Sequence, residues 1–204
     1  MARLDRAAVL AGAWAFIEVH GLDALTMRKL ASSLGVNHGT LYWHVESKQA
    51  LIDALADDVL EGVVDRRETG SVGIARLLEL AYSLRAALLT HRDGARVLAG
   101  TFVRQPNTLA FGEAAIGAAR EAGAGDRDAV LLAFSVQYYV TGFVIEEQAA
   151  HDLLRTEAAH ERAEIAAERF PLVAAGLRTL RNTPRDNQFD YGLKLLVRRQ
   201  EDRR

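Results

Sequence analysis

The sequence holds 6 histidines and 27 acidic side chains among 204 residues, enough to ask first whether any are spaced for catalysis or metal binding. Glu147 and His151 stand four apart, with Glu146 beside them, and would share one face of a helix. No second histidine or carboxylate follows at matching spacing, so this group reads as a solvated or dimer-facing patch. His20 and His91 fall near expected helix ends, where an imidazolium gains from the macrodipole. The chain has no cysteine, which excludes disulfides, thiolate zinc sites and cysteine nucleophiles. No glycine-rich phosphate loop follows a strand pattern, and no Ser-His-Asp arrangement has a local signature. The expectation is a protein that is not an enzyme and holds neither metal nor cofactor.

Recognition chemistry is better represented. From Thr26 to His44 the chain reads Thr-Met-Arg-Lys-Leu-Ala-Ser-Ser-Leu-Gly-Val-Asn-His-Gly-Thr-Leu-Tyr-Trp-His. This spacing predicts two short helices separated by a sharp turn at Gly35, where a left-handed backbone is required. Thr26 and Asn37 are N-cap types for the two helices, and Leu30, Ala31, Leu34, Val36, Leu41 and Val45 can form a buried seam. The second helix then turns His38, Gly39, Thr40, Tyr42 and His44 outward, side chains short or flat enough to approach base edges and phosphates in a major groove. Lys48, at the start of the next helix, is placed to neutralise a phosphate. Trp14 and Trp43 are expected in domain packing, Trp43 also bordering the DNA face. Similar helix pairs occur in proteins that bind no DNA, so the pattern alone leaves the function open.

The elements that must position these residues are helical. Apolar spacing follows the helical period nearly throughout, and proline occurs only at positions 106, 171 and 184. The fold class expected is all-α: a three-helix N-terminal unit carrying the helix-turn-helix, followed by a helical C-terminal region. A first helix begins near Asp5, buries Val9, Leu10, Ala13, Phe16 and Ile17, and stops at Gly21. Three short helices follow, the last running from Ser47 toward Val64. A polar connector occupies 65–72, and further helices are expected at 73–91, 93–100, 107–122, 127–150, 170–181 and 186–200. Residues 152–169 are rich in Glu, Arg and Ala and read as a mobile, partly helical excursion. Half of the residues are apolar and 25% are charged, a globular composition. No uninterrupted apolar run approaches the ~20 residues of a spanning helix. The N-terminus has no secretory pattern, which predicts a cytoplasmic protein without a membrane partner. A formal net charge of −2 does not itself announce nucleic acid, since basic patches normally drive phosphate binding.

Residues 3–57 resemble the DNA-binding domain of the tetracycline-repressor (TetR) family. The resemblance is carried by Gly-Leu-Asp-Ala-Leu-Thr-Met-Arg-Lys-Leu-Ala at 21–31, Leu-Gly-Val at 34–36, Thr-Leu-Tyr-Trp-His-Val at 40–45 and Leu-Ile-Asp-Ala-Leu-Ala at 51–56. It implies that Arg28, His38, Gly39, Thr40, Tyr42 and Lys48 occupy operator-contacting positions, with Thr26, Asn37, Trp43 and His44 beside them. His38 and Gly39 replace the Gln-Pro of the tetracycline repressor, so its operator sequence does not transfer. Weaker similarity at 91–101, 141–148 and 189–196 extends the resemblance over most of the chain. It implies an effector region and a dimer interface built from the helices at 127–150 and 186–200.

At the effector positions the resemblance breaks down. Val64, Leu80 and Leu84 stand where the tetracycline binders carry His, Asn and Phe, and Leu98 stands where they carry a magnesium-ligating His; Thr101 and Glu146 alone match. The expectation is therefore a largely apolar effector and not magnesium-tetracycline. Its contacts would come from Val64, Leu80, Leu84 and Leu98, with Tyr82, Thr101, Phe111, Gln137 and Glu146 as aromatic or polar groups. Tyr138, Tyr139 and Phe143, with Gln137, could line a cavity or simply pack. The units expected are 1–46 for DNA binding, 47–64 as a connecting helix, and 65–204 for effector binding and dimerisation. The partners expected are double-stranded operator DNA, a small effector and a second copy of the chain. Two alternatives stay open: a DNA-binding dimer without a small ligand, and a lipophilic-ligand binding protein with a vestigial helix-turn-helix.

Overall fold

A computed structural model describes residues 4–65, 70–99, 101, 104–153 and 167–201. Among these residues the secondary structure is entirely helical, as the apolar spacing requires. Helix α1 (Arg6–His20) starts where Asp5 accepts the Ala8 N–H at 2.8 Å and ends at Gly21, whose φ of 77° breaks the helical path. Its buried face is Val9, Ala13, Trp14, Phe16 and Ile17, while Leu10 is half-buried. A short 3-10 turn at Leu22–Ala24, which the sequence reading does not separate out, joins it to α2 (Met27–Ser33). Helices α3 (His38–Tyr42) and α4 (Lys48–Asp58) follow. Each begins at a side-chain cap: Thr26 on Lys29 N–H, Asn37 on Gly39 N–H, and Ser47 on Ala50 N–H. Gly35 takes φ 66° between α2 and α3, the left-handed turn expected there. In the seam, Leu30, Ala31, Leu41 and Val45 are buried, with Leu34 and Val36 half-buried.

The helix expected from Ser47 toward Val64 is shorter than that. It stops at Asp58, and the chain continues in turns bonded Leu60 N–H to Asp57 O and Val63 N–H to Leu60 O, through Gly62 at φ 68°. Glycine in the left-handed region ends a helix at little steric cost, which a reading of apolar period alone passes over. Val59, Leu60 and Val63 are nevertheless buried, so these turns still belong to the core.

The remaining helices are α5 (Gly73–Leu88), α6 (Gly94–Ala99), α7 (Pro106–Glu121), α8 (Asp126–Leu153), α9 (Pro171–Asn182) and α10 (Arg185–Glu201). Most of the excursion expected at 152–169 lies outside the described residues, as does much of the 65–72 connector. Helices α5, α7 and α8 pack on one another, α10 lies against α8 and α5, and α6 lies between α4 and α8. By length and composition the stretch Asp126–Ala150 of α8 is apolar enough to cross a membrane. Polar residues such as Ser135, Gln137 and Thr141 interrupt it, so it holds no long unbroken apolar run. Val136, Val140 and Val144 are fully buried against the other helices, but only 33% of the stretch's most apolar window is buried within the chain. One apolar cluster runs from Val9 to Val197 and joins both ends of the chain; a satellite of Ala119, Ala124 and Ala129 closes the turn between α7 and α8.

Candidate nucleic-acid interface and effector region

The outward face of α3 is built by its neighbours' burial. Leu41 and Val45 are fixed in the core at 0% and 5% exposure; a residue two positions away on a helix points roughly 200° round. Gly39 lies on that far side, His38, Thr40 and Tyr42 are exposed with it, and His44 is half-buried. The His38 and Tyr42 rings meet edge to face, centroids 4.9 Å apart, so each limits the other's rotamers. Gly39 carries no side chain between them, and Asn37 Oδ1 is engaged by the Gly39 N–H at 2.8 Å. Thr26 and Arg28, at the start of α2, and Lys48, at the start of α4, are also exposed.

Trp43 corrects the expectation of domain packing. It is 88% exposed, since position 43 lies between the inward-pointing Leu41 and Val45. Trp14 does pack, at 5% exposure, with Nε1 donating to Asp58 at 2.7 Å and its ring stacked on His91. His91 therefore has partners the sequence did not reveal: the Trp14 indole and, at 3.3 Å, Glu18. His20, the last residue of α1, touches the Phe16 ring at 4.6 Å.

Around His91 the turn between α5 and α6 grips the corner after α1. The Arg92 N–H donates to Glu18 at 2.9 Å, and its guanidinium reaches the carbonyls of Glu18 and Val19. Asp93, at φ 59°, accepts the Leu22 N–H at 2.8 Å; its other oxygen holds Arg96, which also binds Asp23 at 2.8 Å. Hydrogen bonding to Arg96 lowers the Asp23 carboxyl below its ordinary pKa. From the other side Gln148 of α8 donates to the carbonyls of Leu88 and His91. The recognition unit is thus anchored to the same turn that α8 holds.

The residues expected to contact an effector are placed unevenly. Leu80, Leu84, Leu98 and Phe111 are buried at 1%, 0%, 5% and 3% exposure in one apolar cluster, and half-buried Val64 and Tyr82 pack against it. Thr101 is half-buried, its hydroxyl donating to the Leu98 carbonyl at 2.8 Å. Gln137 is half-buried, whereas Glu146 is exposed, on a different side of α8 from Glu147. The Tyr82 hydroxyl donates to Asp190 at 2.8 Å; burial first, then this bond, pushes its pKa up to about 12.

Tyr139 and Phe143 join a cluster that sequence spacing does not show. Arg85 forms a two-pronged pair with Glu147 (Nε–Oε2 3.0 Å, Nη2–Oε1 2.7 Å) and reaches Asp186 at 2.7 Å. Its guanidinium lies 4.8 Å from the Phe189 ring centre and 5.6 Å from that of Phe143. Tyr139 donates to the Phe189 carbonyl at 2.9 Å and its ring stacks on Phe189. Glu147, half of the Glu147/His151 pair, is thereby committed to binding α5 to α8, and Arg85 in turn ties in α10. Tyr138 is 66% exposed and takes no part in that cluster.

Comparison with known proteins completes the picture. The profile of "Bacterial regulatory proteins, tetR family" matches residues 9–55, and that of "Tetracyclin repressor-like, C-terminal domain" matches residues 69–198. A possible TetR family transcriptional regulator from Streptomyces coelicolor A3(2) is 41% identical, with a TM-score of 0.86 over 98% of this chain and 100% of that one. BioQ, solved with its natural double-stranded DNA operator, is 32% identical with a TM-score of 0.73, covering 97% and 98% of the two chains. A single-site variant of TetR from Acinetobacter baumannii AYE, solved in complex with minocycline, is 34% identical with a TM-score of 0.75, covering 99% of each.

Proposed function

The chain belongs to the TetR family of bacterial regulatory proteins, and from that premise we propose that it is a cytoplasmic repressor that binds a palindromic operator as a homodimer and is released by a small, largely apolar effector. Proteins of this family are transcriptional regulators that bind DNA and respond to ligands such as tetracycline. The observation that carries the reading is the exposed face of α3, with His38, Gly39, Thr40 and Tyr42 turned outward, together with the exposed cations Arg28 and Lys48 at the starts of α2 and α4. Donors and flat rings on a short helix suit a major groove, and cations at its margins suit phosphates.

Dimerisation is supported by an apolar stripe that a single chain leaves uncovered. On α8 Leu131, Phe134 and Tyr138 recur at helical spacing with 50%, 39% and 66% exposure, and on α10 Tyr191 and Leu195 do so with 71% and 53%. A dimer that covers them reads two half-sites only if it holds its two α3 helices about 34 Å apart, the repeat of successive major grooves. An effector that prefers a different separation would lower operator affinity by its differential binding, on the order of 1 to 3 kcal/mol.

The units proposed remain 1–46 for DNA binding, 47–64 as connector, and 65–204 for effector and dimer contacts. An effector would lodge among Val64, Leu80, Leu84, Leu98 and Phe111, with Tyr82, Thr101 and Gln137 at its margins. Their burial in one continuous cluster also favours a second reading, in which the C-terminal region only dimerises. Screening lipophilic compounds for thermal stabilisation and operator release separates the two. A verified effector whose action is blocked by Leu98→Trp supports the first reading, and one indifferent to both Leu80→Phe and Leu98→Trp rejects its location.

A further inference from the structure

The first turn of α7 is capped by a residue from another part of the chain. Its own N-cap residue, Gln105, has the extended backbone of a cap (φ −97°, ψ 157°) but makes no side-chain capping bond. Asp57, in the last turn of α4, supplies that bond. Its Oδ1 accepts both the Thr108 N–H and the Thr108 hydroxyl at 2.9 Å. Asn107 Nδ2 donates to Asp57 Oδ2 at 3.2 Å and to its carbonyl at 3.1 Å. With Pro106 as first helical residue, Thr108 is the third, and its N–H is one that a capping side chain normally takes. A carboxylate there also faces the positive end of the helix dipole. On the other side of α4 the neighbouring Asp58 accepts the Trp14 indole N–H at 2.7 Å. Two adjacent aspartates therefore hold the end of α4 between α7 and α1.

We propose that Asp57 is a positioning residue that gears the first turn of α7 to the orientation of the recognition helix, so that fraying of that turn and loosening of α1–α4 are one event. The inference rests on the DNA-binding reading and adds its route of regulation. Helix α7 cannot keep its first turn capped once α4 moves away, and α4 loses four hydrogen bonds once that turn unwinds. Linkage is reciprocal: operator binding protects the Thr108 amide, and whatever unwinds the turn releases the recognition unit. Phe111 lies three residues beyond Thr108 and is buried at 3% exposure, so an effector pressing on it acts within one turn of the cap.

Hydrogen exchange and operator binding by the full chain distinguish gearing from a merely local cap. Asp57→Ala should speed exchange at the Thr108 amide about fivefold to tenfold. It should also flatten the choice of half-site spacing: the wild type loses about tenfold or more when one base pair is inserted between half-sites, and the variant should lose little. The deciding variant adds Gln105→Asp to Asp57→Ala, which returns a cap to α7 from its own chain without restoring the tie to α4. Thr108 protection should then return while spacing discrimination stays lost. Recovery of both, or unchanged discrimination in the single variant, would overturn the proposal. If the wild type binds no duplex, the DNA reading fails but gearing is still readable. Amides of α1 and α4 should exchange faster in both variants, and unchanged exchange there rejects it.

Discussion

The indole of Trp14 lies flat on the imidazole of His91, ring centroids 4.1 Å apart and 8° from parallel, joining the first helix to the turn after α5. Because Trp14 is also buried and hydrogen-bonded to Asp58, Trp14→Ala should destabilise the protein by about 3 to 5 kcal/mol. His91→Ala, which removes the stacked ring and its contact with Glu18, should cost only about 1 kcal/mol. Urea unfolding midpoints of the two variants measure this ordering, and equal midpoints would reject it.

Tyr82 should set an alkaline limit. Its folded pKa is pushed up to about 12 from an ordinary 10, so the folded state holds this proton more tightly than the unfolded chain. The resulting stability is fully present below pH 10 and is lost as pH rises through about 12. Absorbance at about 295 nm should show Tyr82, and with it Tyr139, whose pKa burial also raises, ionising above the ordinary tyrosine pKa of about 10. Tyr82→Phe should remove the unfolding that accompanies the late step; an unchanged alkaline transition would contradict the assignment.

Magnesium-tetracycline should not be the effector. Leu98 is buried among apolar side chains and has no atom that ligates a metal, and Val64 and Leu80 offer no hydrogen bond to a polar drug. Each polar group left without a partner weakens binding by ~1 to 3 kcal/mol. Calorimetry with tetracycline and magnesium should give no tight, magnesium-dependent heat; a submicromolar response would refute this.

Local features were legible in the sequence. Asp5, Thr26, Asn37 and Ser47 cap their helices through bonds two or three residues long, and Gly35 turns because its own backbone allows it. The ties that position the recognition unit were not legible, since their partners are far apart along the chain: Trp14 and Asp58 by 44 residues, Asp57 and Thr108 by 51, Leu22 and Asp93 by 71. Periodicity says which face of a helix is buried but not what it meets. For the same reason Glu147 reads from the sequence as part of a solvated or dimer-facing patch, whereas it is paired with Arg85, 62 residues earlier. Trp43 was misplaced because aromatic size argues for burial, whereas its register against Leu41 and Val45 turns it outward.

The central claim is that the α3 face reads DNA, and a fluorescence anisotropy titration tests it most directly. Duplexes from upstream of the gene should be compared with scrambled controls at several salt concentrations. The upstream palindrome should bind at least about a thousandfold more tightly than scrambled duplex. Tyr42→Ala should weaken the specific complex. Lys48→Ala should weaken both complexes and lower the slope of log affinity against log salt by about one. Equal affinity for upstream and scrambled DNA, with slopes unmoved by Lys48→Ala, would contradict the account.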